Sequence, residues 1–197
     1  MKKKYKNKKK SILFLGYDDD NTILLKKLKE FNCSVEHINN KVDNLSGYDL
    51  IISFGYKHIL SKKIIETSNC DIINLHISYL PWNRGAHPNF WSFYDNTISG
   101  VTIHLINEGI DKGNIIYQKK ITFNPKELTF FESYNILLRE IELLFLSKIE
   151  HILDKTYYTY PQIGEGSFHK KSDLPENFSG WHSNIYEEIK NLKEKRF

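Results

Sequence analysis

The first half of the chain alternates short apolar runs with segments whose apolar residues recur at helical spacing. The apolar runs predict strands at residues 11–16, 48–54 and 70–75, and the mixed segment 33–38 is a further strand candidate. Two intervening segments, residues 22–31 and 61–67, are predicted to be helices. The run at 48–54 is almost continuously apolar, which is typical of a parallel strand that is covered on both faces.

The second half has longer elements with a clearer period. β-Branched and polar residues alternate over 100–106 and again over 113–121, which predicts a strand pair joined by a long loop. A helix is predicted around 91–95, after a loop rich in proline and glycine. Apolar residues recur at helical spacing from 129 to 153, which predicts one long amphipathic helix.

This order of elements predicts an α/β protein with an open, mostly parallel, Rossmann-like sheet. Ligands of such sheets bind outside the carboxyl ends of the strands, so residues that directly follow strands carry most weight. Gly16 is not followed by glycines at dinucleotide-binding spacing. We predict three regions: a basic disordered tail (1–10), a catalytic core (11–155) and a short aromatic C-terminal extension (156–197).

Charge adds little to this interpretation, because it is concentrated at the start of the chain. Seven of the first ten residues are lysines, and without them the formal charge of +4 becomes −3. Such a tail can bind nucleic acid or anionic lipid, but a solvated, disordered N-terminus is the simpler interpretation. We therefore expect no nucleic acid partner. No apolar stretch reaches the roughly 20 residues of a membrane span, so we expect a cytoplasmic protein without a membrane partner. The two cysteines, Cys33 and Cys70, lack the spacing of a thiolate metal site.

The strongest candidate chemistry lies at the end of the strand at 70–75. Asn74 and His76 are one residue apart, and the period of two in a strand points both side chains to the same side. An imidazole exchanges a proton near neutral pH, and an amide N–H can stabilise charge that develops on a carbonyl oxygen. The pair therefore suits acyl transfer to an amine, although a strand-capping amide beside a structural histidine remains an alternative.

The wider context of this pair is more specific. The pair opens the stretch NLHISYLPWNRGAHPNFW (74–91), which is followed by GVTIH (100–104) and EGIDKGNII (108–116). This order resembles the folate-dependent formyltransferase family, in which an N-x-H strand end leads into an L-P-x-x-R/K-G loop, a G-V-T strand and a D-x-G-x-I-I segment. The resemblance spans about residues 11 to 150, and four ordered motifs are more specific than any one of them.

The resemblance implies a formyltransferase core and a role for each matched residue. His76 would assist loss of the amine proton, Asn74 and His76 would stabilise the oxyanion, and Asp111 would orient and polarise His76. A carboxylate beside an imidazole also favours the protonated ring. Taken alone, Asp111 within the sequence Asp-Lys-Gly could equally be an ordinary turn residue.

The resemblance also implies 10-formyltetrahydrofolate as co-substrate and suggests where the ligands bind. Folate contacts are expected at Tyr56, His58, Ile59 and Leu60 after the third strand, with Asn107 and Ile110 on the opposite wall. Substrate contacts are expected in the mobile-looking loop at 82–85, that is at Trp82, Asn83, Arg84 and Gly85, because an arginine can bind phosphate and a tryptophan can stack on a base or sugar. His87 and His104 do not match a zinc spacing, so no metal is predicted.

Three acceptor amines occur in this family. About 40 residues follow the long helix, too few for the C-terminal barrel of the enzymes that act on initiator tRNA. The segment at 79–91 and the aromatic extension resemble the nucleotide-sugar N-formyltransferases, so a nucleotide-linked amino deoxy-sugar is the expected acceptor. Glycinamide ribonucleotide and a catalytically silent folate-binding protein remain alternatives, and a homodimer is left open.

Overall fold

The computed structural model describes residues 9–194. Most of the predicted basic tail and the last three residues of the predicted C-terminal extension lie outside this range. Six strands form one sheet in the order β2-β1-β3-β4-β6-β7, and helices follow most of them. The predicted α/β class with a mostly parallel sheet is confirmed. The chain divides after Ile73 into two compact units.

The first unit is built on three parallel strands. β1 (Lys10–Gly16) pairs in parallel with both β2 (Cys33–Ile38) and β3 (Leu50–Phe54). The side chains from Ile12 to Leu15 are fully buried, as expected for a strand covered on both faces. Helices α1 (Leu24–Glu30) and α2 (Lys62–Ile65) follow β1 and β3 in the sequence and are shorter than predicted.

The second unit contains the other half of the sheet. β4 (Ile72–His76) runs into this unit, β5 (Arg84–Gly85) follows, and α3 (Pro88–Tyr94) comes next. β6 (Gly100–Leu105) and β7 (Ile115–Lys120) pair antiparallel, with a register shift between Ile103 and His104. The predicted strand pair at 100–121 is therefore present.

The predicted long helix is two helices, because α4 (Phe130–Ser147) ends before α5 (Ile149–Leu153). Lys148 lies between them with φ −118° and ψ 6°, and its N–H donates to the carbonyl of Phe145, three residues back. That bond ends the regular i to i−4 ladder. The start of α4 is fixed by a capping box in which Thr129 and Glu132 each accept the other's backbone N–H.

The C-terminal segment is part of the second unit and packs against its earlier elements. Two-residue strand β8 (Phe168–His169) pairs with β5, and α6 (Ile185–Glu194) ends the described chain. Aromatic and aliphatic side chains from α3, α4 and α6 form one buried cluster: Phe90, Trp91, Tyr94, Phe130, Ile185 and Leu192. None of the helices among residues 9–194 has the length and apolar character that crossing a membrane requires.

Candidate active site

Asn74 and His76 lie at the carboxyl end of β4, as predicted. Asn74 is half-buried and His76 is 8% exposed. Alternation along the strand places their side chains on the same side, where the turn between β6 and β7 brings Asp111 to Asn74.

The Asp111 carboxylate is the centre of the site. Its Oδ1 accepts a hydrogen bond from Asn74 Nδ2 (3.2 Å), and its Oδ2 accepts one from the backbone N–H of Gly85 (2.9 Å). Two imidazoles face the same carboxylate: His76 Nε2 lies 3.8 Å from Oδ2, and His104 Nε2 lies 3.5 Å from Oδ1. The three predicted catalytic side chains are thus within a few ångströms of one another.

The surroundings of His76 fix which ring nitrogen carries its proton. Nε2 faces the carbonyl oxygen of Asn83 at 3.4 Å as well as the Asp111 carboxylate. Both groups can only accept hydrogen bonds, so the neutral ring carries its hydrogen on Nε2. Nδ1 then has a lone pair with which it can accept a proton.

Burial and the neighbouring carboxylate act on His76 in opposite directions. Burial lowers the pKa of the imidazole, the Asp111 carboxylate raises it, and His104 lowers it further. Two unit charges about 3.8 Å apart attract by about 4 kcal/mol at an effective dielectric constant of about 20. Burial nevertheless dominates, and the pKa of His76 falls below its ordinary value. The predicted effect of Asp111, which favours the protonated ring, is present but is smaller than the effect of burial on the His76 pKa. Without substrate the His76 ring is therefore a neutral base.

Asp111 behaves in the opposite way. Burial alone raises the pKa of its carboxyl, but His76, His104 and the N–H of Gly85 outweigh burial and hold the pKa well below its usual range. The carboxylate is therefore ionised across the physiological range. Its backbone has a φ of 51°, in the left-handed region that aspartate tolerates better than most residues.

His104 is the site residue that the sequence pattern did not place in the chemistry. The ring is 1% exposed, and its Nδ1 donates to the carbonyl of Leu105 at 2.8 Å. Its Nε2 therefore accepts in the neutral ring, and Asn74 Nδ2 donates to it at 3.1 Å. The signal in the sequence was position: His104 is the penultimate residue of β6, and the neighbouring strand β4 ends at His76.

The loop predicted to bind substrate is held internally. Asn83 is fully buried, and its side chain bonds to Thr97 (2.8 Å) and Ser167 (3.1 Å). Arg84 donates from its guanidinium to the carbonyls of Pro81 and Glu165. Gly85 bonds Asp111, as described above, and Trp82 is half-buried.

The predicted folate contacts lie in two separate segments. In the first unit, Tyr56 donates its hydroxyl to the carbonyl of Asn40 (3.0 Å) and contacts His58 edge-on. Its neighbour Ile59 is 73% exposed, and Leu60 is half-buried. In the second unit, the exposed residues Asn107 and Ile110 precede Asp111 in the loop between β6 and β7.

Within residues 9–194, no three His, Cys, Asp or Glu side chains are grouped as ligands of a metal ion would be. The two histidines at the carboxylate are instead bonded to protein groups: His76 to the carbonyl of Asn83, and His104 to Asn74 and Leu105.

Known proteins are similar to this chain in sequence and in fold. The family model described as formyl transferase matches residues 8–142, which is more than half of the 197 residues. The chain belongs to the formyl transferase family. The resemblance found from the ordered motifs, and the prediction of a formyltransferase, are confirmed at this level.

Curated relatives include two kinds of enzyme. A methionyl-tRNA formyltransferase of Thermodesulfovibrio yellowstonii is 33% identical over 75% of this chain and 42% of its own length. A dTDP-4-amino-4,6-dideoxyglucose formyltransferase of Mycobacterium bovis is 31% identical over 64% of this chain and 53% of its own length. The chain thus spans about half the length of these relatives.

One solved structure matches over nearly all of its own length. The formyltransferase PseJ from Anoxybacillus kamchatkensis is 37% identical, with a TM-score of 0.80 over 89% of this chain and 96% of that chain. PseJ was crystallised with UDP-4,6-dideoxy-4-formamido-L-AltNAc and tetrahydrofolate. This match supports the predicted resemblance to nucleotide-sugar formyltransferases.

Proposed function

We propose that this protein transfers the formyl group of 10-formyltetrahydrofolate to the amine of a nucleotide-linked amino deoxy-sugar. The observation that carries the proposal is a buried, neutral imidazole, His76, beside an ionised carboxylate, Asp111, and an amide, Asn74. This set combines a base for an amine proton with a hydrogen-bond donor for a carbonyl oxygen.

The residues divide the proton and charge changes of this reaction between them. The uncharged amine nitrogen forms a bond to the formyl carbon, and the bond from that carbon to N10 of the folate breaks. The amine loses one proton, which His76 accepts at Nδ1, and N10 gains one proton. Asp111, 3.8 Å from Nε2, stabilises the imidazolium while it exists.

Asn74 must exchange one of its hydrogen-bond partners before it can donate to the formyl oxygen. In the structure described, its two amide hydrogens point to Asp111 Oδ1 (3.2 Å) and His104 Nε2 (3.1 Å). Donation to the formyl oxygen requires one of these bonds to be exchanged or shared. The bond to the ionised Asp111 carboxylate is charge-assisted and therefore the stronger one, so we expect the bond to His104 to be released.

The choice of a nucleotide-linked amino sugar is supported by the match to PseJ, which combines a TM-score of 0.80 with coverage of 96% of that chain. The curated matches are divided between amino-sugar and methionyl-tRNA enzymes, both of which act on amines. The segments 56–60, 82–85 and 107–110 stay predictions as ligand contacts. The internal bonds of Asn83 and Arg84 favour a role in shaping the loop.

The proposal is tested by following tetrahydrofolate release from 10-formyltetrahydrofolate with UDP- and dTDP-linked amino deoxy-sugars, glycinamide ribonucleotide and methionyl-tRNA as separate acceptors. Turnover with an amino sugar supports the proposal. Turnover only with glycinamide ribonucleotide or only with methionyl-tRNA would move the acceptor to that class. No turnover with any acceptor, in a protein that binds folate, would favour the catalytically silent binding protein.

A further inference from the structure

A glutamine from the C-terminal segment bonds to the backbone of the catalytic turn. Gln162 Nε2 donates to the carbonyl of Asp111 at 2.7 Å and to the carbonyl of Gly113 at 2.9 Å. Both partners only accept, so the atom that faces them is the amide nitrogen. This residue lies beyond residues 8–142, to which the family model is matched.

The turn that Gln162 holds has an unusual backbone. Asp111 has a φ of 51°, and a non-glycine residue is held in this region only where its surroundings fix it. Gln162 Nε2 donates hydrogen bonds both to the carbonyl of Asp111 itself and to the carbonyl of Gly113, two residues later. The direction of the Asp111 side chain follows from the backbone that Gln162 fixes.

The same C-terminal segment also holds the other side of the carboxylate. β8 pairs with β5, and the N–H groups of Arg84 and Ala86 donate to the carbonyls of Ser167 (3.0 Å) and His169 (2.8 Å). Backbone N–H groups alternate in direction along a strand, so the N–H of Gly85 points the other way. That N–H is the one that donates to Asp111 Oδ2.

We propose that Gln162 is a positioning residue: it sets the Asp111 carboxylate against His76 and His104, and the C-terminal segment thereby completes the active site. The effect on the two imidazoles follows from geometry alone, whereas the effect on turnover rests on the proposed function. Loss of the amide lets the turn relax, moves the carboxylate and weakens its influence on both rings.

The chain offers a matched control for this test. Gln118 is also half-buried, and its Nε2 also makes two hydrogen bonds, to the carbonyl of Leu80 (2.8 Å) and to Thr102 Oγ1 (3.0 Å). Substitution to methionine keeps most of the volume and removes the donors at either position. Gln162→Met and Gln118→Met therefore lose similar bonds, but only the first loses contact with the Asp111 turn.

The measurement is the NMR spectrum of the imidazole rings in the ligand-free protein at pH 7, with His76 and His104 assigned from alanine variants. Gln162→Met is expected to shift both ring signals in the direction produced by Asp111→Asn, and Gln118→Met to leave them in place. Turnover of Gln162→Met should fall on the order of ten- to hundredfold through kcat, as for a small displacement of a catalytic group.

If the ring signals of His76 and His104 keep their chemical shifts in Gln162→Met, the proposal is wrong and Gln162 has only a structural role. Equal shifts in Gln118→Met would overturn the proposal as well. If Gln162→Met does not fold, the same ring signals are measured in Gln162→Asn. That variant keeps the amide but places it on a shorter side chain. The spectra need no substrate, so they decide the proposal even if the wild-type chain transfers no formyl group.

Discussion

Replacing Asp111 with asparagine tests the electrostatics of the site while keeping its shape. Asparagine has the same size and tolerates the same left-handed backbone, so the φ of 51° adds no new strain. The two carboxylate oxygens each accept an N–H, one from Asn74 and one from Gly85. An asparagine has one acceptor oxygen, so one of these donors is left facing an NH₂ group.

The expected loss of stability is about 3 kcal/mol. Hydrogen bonds to a charged group contribute roughly 1.5–3 kcal/mol and neutral ones roughly 0.5–1.5 kcal/mol, so the retained bond loses about 1 kcal/mol. The donor that loses its acceptor is half-buried, and leaving it unsatisfied costs about 1–3 kcal/mol. The sign is destabilising because the pKa of Asp111 is lowered, which means that its partners outweigh the cost of burying the charge.

The loss has a pH signature. A carboxyl whose pKa is depressed on folding stabilises fully above its unfolded pKa of about 3.9, and this contribution declines as pH falls toward the folded pKa. The difference in unfolding free energy between wild type and Asp111→Asn should be constant from pH 7 to about pH 5. Below about pH 4 it should shrink by up to about 1.4 kcal/mol per pH unit.

Urea unfolding from pH 7 down to pH 3 measures this difference. Asp43→Asn is the control, because Asp43 is exposed and its change should stay within about 0.5 kcal/mol. A loss below about 1 kcal/mol at pH 7 would refute the account of the carboxylate. So would a loss that is the same at pH 3 as at pH 7.

Three further predictions concern His76 and Asn83. His76→Ala should reduce kcat on the order of 10²- to 10⁴-fold without unfolding the chain. The control His151→Ala changes an exposed histidine and should leave kcat nearly unchanged. Equal losses of kcat in the two variants would contradict the role of His76. The wild-type pH–rate profile should keep its activity below pH 6.5, because burial lowers the pKa of His76 and the base stays neutral; an acidic limb above pH 6.5 would contradict this. Asn83→Ala should lower the free energy of unfolding by about 2 kcal/mol more than Asn96→Ala. Both positions have a φ near 55°, but only Asn83 has a buried side chain, which bonds to Thr97 and Ser167. Equal losses in urea unfolding would refute the contribution of those bonds.

The predictable parts of this fold are those in which a period extends over several residues. The strands β1, β3 and β4 follow from runs of mainly apolar residues, because a strand that is covered on both faces needs apolar side chains at nearly every position. β5 and β8 have two residues each, too few for a period, so the loop at 82–85 looks mobile in the sequence although it is paired. The break at Lys148 is hidden in the sequence because apolar spacing continues across it.

The candidate site was predictable where it followed strand ends and ordered motifs. Asn74 and His76 are one residue apart, and Asp111 was placed beside them by resemblance. The roles of His104 and Gln162 come from contacts across 30 and 51 residues of sequence, so the position of His104 near a strand end was its sole signal and Gln162 had none. The low pKa of His76 was also not predictable, because it depends on how deeply the ring is buried.

Transfer of a labelled formyl group tests the central claim most directly. 10-Formyltetrahydrofolate carrying ¹³C in its formyl group is incubated with a UDP-linked 4-amino-4,6-dideoxy sugar and either the wild-type chain or His76→Ala, and the sugar product is examined by mass spectrometry. We expect the label as a formamide on the amino sugar with the wild-type chain and at most about one hundredth of that rate with His76→Ala. Unlabelled sugar in both reactions, or equal labelling in both, would contradict the account.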